Sequence, residues 1–390
     1  MHHDMHPDMH RDMRHELQRL KEQGQARELK CLESNGALIS YQGRDYLNLS
    51  SNDYLGISAR TDFQKEFIES LDLDHFWMSA SSSRLLTGNH PCAVGLEAYL
   101  ESLYGKSCLL YNSGYHANSG ILPAITGKKD LILADKLVHA SIIDGMRLCA
   151  CEWRRYQHND YSHLERLLQQ AQGKYEQIYI VTESVFSMDG DMADIAALVE
   201  LKNRYGARLY VDEAHGFGVY GARGLGLVEA LGLLDHVDLI MCTLGKAAAS
   251  EGAFVVCDAE VREWLINHSR TLIFTTATPA INLAWTHFVI RKIVGMTQER
   301  MALQAMTKRF RAQLARFQLL GSSPIVPMLM GDNEPCNRLA AQLQHAGIWV
   351  MPIRYPTVPA GQARIRFSLT AALSEEQVQK AYETVLAHTE

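Results

Sequence analysis

The residues of this chain with the most chemical potential are one lysine, one aspartate and two histidines, Lys246, Asp212, His215 and His139. Asp212, Glu213 and His215 lie in "LYVDEAHGFGVYGARG", where the apolar run Leu209, Tyr210, Val211 reads as a buried strand that ends in a carboxylate and an imidazole. Lys246 closes "CTLGK" directly after another apolar run. An amine desolvated by protein near other positive charge has a lowered pKa and becomes a nucleophile toward carbonyl carbon. A buried carboxylate such as Asp212 can keep an aromatic ring nitrogen protonated, and a flat imidazole such as His139 can lie on a ring face. Backbone N–H groups at a helix start, with hydroxyls beside them, bind phosphate. "NSGYHANSG" and "CTLGK" offer such groups around Ser113, Gly114, Tyr115 and Thr243.

Strand-then-helix units must position these residues. Candidate strands are "SCLLYN" (107–112), "DLILAD" (130–135), "EQIYIVTE" (176–183), "ARLYVDEA" (207–214), "VDLIMCT" (237–243) and "GAFVVCD" (252–258). Helical spacing separates most of them, as in "YSHLERLLQQAQG" and "DIAALVELKNRYG", each closed by a glycine suited to a C-cap. This alternation predicts an α/β fold, a mostly parallel sheet covered by helices on both faces. After Pro279 long helices take over, short strands follow around "IVPMLM", "GIWVMPI" and "ARIRFSLT", and a helix from Glu375 closes the chain. The expected organisation is an N-terminal tail and helical or strand arm (1–50), a large domain (51–280) and a smaller C-terminal α+β domain (281–390).

In an open parallel sheet, ligands bind beyond the carboxyl ends of the strands. Five successive strand exits carry Ser113, Gly114 and Tyr115; His139; Glu183 and Ser187; Asp212 and His215; Thr243 and Lys246. Taken singly each has a structural explanation: Asp212 an N-cap, His139 a satisfied half-buried ring, Lys246 a surface charge, the Gly/Ser run a plain turn. Together at one sheet edge they match pyridoxal 5'-phosphate, which carries an aldehyde, a pyridinium, a flat ring and a phosphate. A nicotinamide dinucleotide fits worse, because "GFGVYG" (216–221) spells GxGxxG after the fourth strand rather than the first.

Composition bounds the alternatives. At 390 residues, 47% hydrophobic and 21% charged, the chain is long enough for two or three structural units and is neither disordered nor a disulfide scaffold. A net charge of -6 without a long basic run disfavours nucleic acid and anionic membranes as partners. Eight scattered cysteines show neither CxxC nor zinc spacing, so no metal site is expected, and "CAC" at 149–151 reads as packing. Without an 18-residue apolar run or a signal pattern, the expected location is cytoplasmic. The opening "MHHDMHPDMHRDMRHE" repeats Met and Asp every four residues and reads as a frayed or weakly helical tail.

"VDEAHGFGVYG" followed by "TLGK" closely resembles the α-oxoamine synthases, fold-type-I pyridoxal-phosphate enzymes that join an amino acid to an acyl thioester with loss of CO2, and the likeness runs from about Arg27 onward. The resemblance implies Lys246 as the Schiff-base lysine, Asp212 on the pyridine nitrogen, and His215 and Ser187 at the ring hydroxyl. It further implies His139 over the ring face, Gly114, Tyr115 and Thr243 at the phosphate, and a homodimer in which Thr275 or Thr276 of "FTTATPA" reaches the neighbour's phosphate. "LNLSSNDYLG", "SRLLTGN" and "IRYPTVPAGQARIRFSLTAA" are most similar to the branch that condenses L-alanine with a pimeloyl thioester, carried on coenzyme A or a carrier protein, in biotin biosynthesis. There Arg366 would grip the amino-acid carboxylate; Arg27, Arg354 and Thr357 would meet the acyl substrate; Asn52 is a further site position. A guanidinium fork suits a carboxylate. The alternative for Arg364 and Arg366 is an edge strand with one of them facing solvent, Arg364 being the structural one. Four departures from the family pattern bear on acyl-chain fit rather than catalysis: Phe217 near the cofactor mouth, Ala249 in place of a glycine, "SASSSR" before Arg84, and Leu373 in place of a histidine. The alternatives are a glycine acetyltransferase, a synthase for longer acyl chains, or a non-catalytic partner subunit of the same fold.

Overall fold

The computed structural model describes residues 6–72 and 78–389. Residues 1–5 of the Met-His-Asp tail lie outside the described residues; from His6 to Glu22 the chain is helical. Three strands follow, β1 (Glu33–Asn35), β2 (Leu38–Tyr41) and β3 (Arg44–Asn48), paired as an antiparallel meander.

The central sheet has seven strands: β4 (Ser107–Tyr111), β5 (Leu131–Asp135), β6 (Glu152–Tyr156), β7 (Ile178–Glu183), β8 (Arg208–Asp212), β9 (Leu239–Thr243) and β10 (Ala253–Cys257). Their spatial order is β4-β10-β9-β8-β7-β5-β6, and only β10 runs against the rest. β5, β8 and β10 are buried almost throughout because helices cover both faces, which is why these segments are continuously apolar. β6, "EWRRY", was not foreseen from the sequence. It is the sheet's outer strand and mostly exposed, so its charges guard an open edge and hide the apolar pattern by which inner strands are recognised.

Further along come β11 (Ile325–Gly331), β12 (Ile348–Trp349), β13 (Pro352–Ile353) and β14 (Ala363–Ser368). β12 lies parallel to β3 and completes the first sheet, while the others form a three-stranded sheet ordered β11-β14-β13. β14 is therefore central, and both Arg364 and Arg366 are buried; the edge-strand alternative, with one arginine in solvent, does not hold.

Two helices carry the exits of β4 and β5 and pack against each other, Gly114–Ile125 capped by Ser113 and Ala140–Leu148 capped by His139. Their close approach depends on Gly145, where a Cβ would stand 2.4 Å from the backbone oxygen of Asn118. Gly145→Ala is expected to lower stability by about 2 kcal/mol, the usual cost of overpacking a rigid contact, as read from urea unfolding. An unchanged unfolding midpoint would show that the two helices have slack.

Candidate active site

The register of the central sheet brings the chemistry to one edge. Glu183 pairs with Asp212, Asp212 with Met241, and Thr243 with Ala253, so the ends of β7, β8 and β9 are neighbours. The turns that leave them supply Ser187, His215 and Lys246.

Lys246 Nζ lies 2.8 Å from His215 Nε2, and the opposite ring nitrogen, Nδ1, lies 2.6 Å from the hydroxyl of Tyr54. Burial, with Lys246 and Arg366 nearby, pushes His215 well below the usual histidine pKa, so its ring is neutral and pairs with both neighbours at once. Burial also lowers the Lys246 ammonium to about 8, against the opposing pull of Asp212 and Glu183. A large share of this amine is therefore unprotonated in mildly alkaline solution, the state in which it attacks a carbonyl.

Asp212 is buried, its Oδ1 accepting from the N–H of Ala214 at 2.8 Å and its Oδ2 from Asn118 Nδ2 at 2.9 Å. Burial raises its pKa, partly offset by Lys246 and the Asn118 bond. The same Asn118 amide donates to Ser141 Oγ at 2.9 Å. Because His139 Nδ1 accepts from the Ser141 N–H (3.2 Å), the Ser141 hydroxyl, 2.8 Å from that nitrogen, is the donor to it. His139 and Asp212 are thus held by one hydrogen-bonded chain, which fixes a ring and a carboxylate relative to each other. Beside Asp212, burial and the Asp212 charge push Glu183 well above the usual carboxyl range, and its Oε1 is buried without a hydrogen-bond partner.

Arg366 completes the cluster. Its Nε donates to the Ser187 carbonyl (2.6 Å), and its terminal nitrogens donate to Ser368 Oγ (2.8 Å) and Asn52 Oδ1 (3.1 Å). Gly114 lies against Thr243, a Cβ there meeting the Thr243 side chain at 3.5 Å, and Gly245 donates its N–H to Thr243 Oγ1 at 3.4 Å. Tyr115, half exposed, donates its hydroxyl to Asp144. Thr276 is exposed on the following loop, where its carbonyl accepts from Asn112. Arg27, Arg354 and Thr357 gather elsewhere, lining a groove of about 580 Å³ whose walls also include Lys30 and Asn337; none of them bonds to the Lys246 cluster. This donor set fits pyridoxal phosphate: a desolvated amine for the aldehyde, a buried acid for the ring nitrogen, and Gly114 with Thr243 at a helix start for the phosphate.

Three members of this network escaped the sequence reading. Tyr54 sits in a segment that was noticed, but its reach to His215 spans 161 residues of chain. Asn118, whose Oδ1 also accepts from the Tyr210 hydroxyl at 2.6 Å, could have been flagged as an amide on an otherwise apolar helix face, since buried amides have partners. Ser141 has no such signal.

The departures fall differently from expectation. Phe217 is not at a cofactor mouth: it is 1% exposed, packed edge-on against Phe254. The "GFGVYG" turn winds round Glu213, a buried carboxylate that accepts from Ser184 Oγ (2.5 Å) and Val228 N (2.7 Å). A Cβ on Gly216 would stand 1.7 Å from that carboxylate, so its glycine answers to packing rather than to a dinucleotide. Ala249 has φ 45°, a left-handed conformation that strains any side chain by about 1 kcal/mol, which accounts for glycine being usual there.

The family model for aminotransferases of class I and II matches residues 44–385. The chain is 50% identical to 8-amino-7-oxononanoate synthase of Chlorobaculum parvum over 357 residues, 90% of this chain and 91% of the relative. Among solved structures, serine palmitoyltransferase from S. paucimobilis with a bound pyridoxal-phosphate–myriocin adduct superposes with TM-score 0.90 at 27% identity over 97% of this chain and 96% of that one. The 8-amino-7-oxononanoate synthase of Francisella tularensis does so with TM-score 0.74 at 28% identity, covering 88% and 98%. The chain therefore belongs to the class I and II aminotransferase family and, within it, to the pyridoxal-phosphate-dependent 8-amino-7-oxononanoate synthases.

Proposed function

We propose that this enzyme condenses L-alanine with a pimeloyl thioester, releasing the thiol and CO2 and forming 8-amino-7-oxononanoate. The observation that carries the reading is the amine of Lys246, held by a neutral histidine at the same strand edge as the buried acid Asp212. Pyridoxal phosphate, when bound, supplies the aldehyde and an electron sink. Lys246 Nζ is the amine that holds the aldehyde and, once displaced by alanine, takes the proton from its Cα. Asp212 keeps the ring nitrogen protonated, and His215 and Ser187 address the ring hydroxyl. His139 covers the ring face and polarises the thioester oxygen. Gly114, Tyr115 and Thr243 hold the phosphate. Arg366, preset by Asn52 and Ser187, grips the alanine carboxylate with its guanidinium fork.

In this reading residues 51–280 bind the cofactor, 281–390 form the smaller unit and 1–50 the arm. Arg27, Arg354 and Thr357 meet the far end of the acyl chain. The groove they line carries Lys30 as well as the two arginines against the single carboxylate of Glu28, a net cationic lining suited to a terminal carboxylate. Arg354→Ala should raise KM for pimeloyl thioester about tenfold, because a charged hydrogen bond is worth about 1.5–3 kcal/mol, and should leave a thioester with an uncharged end unaffected. Thiol release with alanine and pimeloyl, acetyl and palmitoyl thioesters in parallel tests the whole reading. Preference for acetyl or palmitoyl would assign a sibling activity instead. Coenzyme A and carrier-protein thioesters, compared in the same assay, identify the carrier.

The enzyme is read as a cytoplasmic homodimer, with Thr276 reaching the neighbouring copy's phosphate. Leu148 and Phe274 are 67% and 70% exposed on one groove that also includes Thr275, an apolar patch that a second copy would cover. Among the described residues no helix is long and apolar enough to cross a membrane. Light scattering tests the dimer; a monomer that still bound cofactor tightly would contradict the shared site.

A further inference from the structure

The turn Phe186–Asp191 carries Ser187 and is gripped from two sides. From the C-terminal sheet, Arg366 donates to the Ser187 carbonyl (2.6 Å), Arg364 pairs with Asp189, and the N–H groups of Ser322 and Ser323 both donate to the Gly190 carbonyl at 3.0 Å. From the side of the central sheet, the grip is His158 together with its neighbour Asn159. His158 lies between two carboxylates, Nδ1 at 2.8 Å from Asp135 at the end of β5 and Nε2 at 2.6 Å from Asp191 in the turn. Its ring stands edge-on to Phe186, centroids 4.4 Å apart. Asn159, in a left-handed conformation, braces the same joint: its N–H donates to Asp135 Oδ2 (2.9 Å) and its amide to Asp191 Oδ2 (2.9 Å). No step of the chemistry above uses His158.

We propose that His158 is a positioning residue: clamped between Asp135 and Asp191, it fixes the turn that bears Ser187 and, through the Ser187 carbonyl, sets the guanidinium of Arg366 for the amino-acid carboxylate. The inference rests on the reading of Ser187 and Arg366 given above. With both ring nitrogens facing carboxylates, the ring must carry two N–H donors, hence a positive charge. The groups facing the joint are Asp135, Asp189 and Asp191, the phenols of Tyr156 and Tyr161, and Arg364. Burial lowers the imidazolium, but the two carboxylates outweigh it and raise it to about 9. A pKa raised on folding contributes stability that is complete below the unfolded value and is lost as pH rises through the folded one, here between about 6.5 and about 9.

His158→Gln keeps the volume and removes the charge. In the cofactor-loaded enzyme, KM for L-alanine should rise about tenfold with a much smaller change in kcat, because a small displacement of the carboxylate grip weakens binding before it alters the proton transfer at Lys246. Asp191→Asn should do the same, and the double variant should be no worse than either single one. Melting temperature supplies a readout independent of the reaction: the variant should melt well below wild type at pH 7, and the gap should close by about pH 10. Lys202→Gln, which breaks the half-buried ion pair to Asp238 (2.6 Å), controls for general loosening and should lower the melting temperature without raising KM for alanine. An unchanged KM in His158→Gln, additive effects in the double variant, or a melting gap independent of pH would overturn the clamp. If wild type released no thiol with alanine, the functional reading would fail while the melting comparison still reported on the clamp. Should the variants fail to fold, the His158 ring resonance of the wild type decides: titration near 9 supports the clamp and titration near 6.5 overturns it.

Discussion

Lys246→Ala is expected to abolish turnover, with a fall of about four orders of magnitude or more, because one side chain both holds the cofactor aldehyde and moves the Cα proton. Its amine is not replaceable from its surroundings. The nearest basic group, His215, is 2.8 Å away but neutral and tied to Tyr54, and burial keeps it from accepting a further proton. The variant should fold, because the buried Asp212 carboxylate, which loses the offsetting charge of Lys246, keeps the bonds it accepts from Asn118 and Ala214. Visible absorbance of the loaded enzyme and thiol release measure the effect together. Turnover near the wild-type rate would remove Lys246 from the mechanism.

Asp212→Asn should lower kcat by about three orders of magnitude, the scale on which removing a preorganised electrostatic group slows an enzyme. Asparagine preserves shape but cannot keep a pyridine nitrogen protonated, and its amide would face the Asn118 amide that now donates to Asp212. In the cofactor-free protein the removal of a buried charge and the loss of one of its two accepted hydrogen bonds oppose each other, so stability near neutral pH should change by no more than about 1 kcal/mol. Folding raises the Asp212 pKa by burial, so the ionised carboxylate opposes folding at every pH above its unfolded value. A side chain of small consequence for the stability of the empty protein and indispensable to the loaded one separates function from structure. Urea unfolding of the cofactor-free variant checks the stability; a large loss there would mark Asp212 as a structural acid.

What was legible beforehand follows from how local each signal is. Asp212, His215 and Lys246 stand directly after buried apolar runs, so one strand assignment each is enough to place them at the sheet edge, and the registers of β7, β8 and β9 bring those ends together. β6 was missed because an outer strand is exposed and charged. Tyr54 and Asn118 act across 161 and 94 residues, distances over which spacing carries no information without the fold. Phe217 was misplaced for the opposite reason: it follows His215 closely, but the turn directs its ring into the core against Phe254. The burial of Arg364 depends on β14 being flanked by β11 and β13, a pairing that no single segment reveals.

The chemistry proposed for this site requires a covalent link between Lys246 Nζ and the aldehyde of pyridoxal phosphate. Borohydride reduction of the cofactor-saturated enzyme, followed by digestion and mass mapping, measures that link directly. The reduced pyridoxyl group should appear on the peptide containing Lys246 and nowhere else; an unmodified Lys246, or a label on another lysine, would contradict the account.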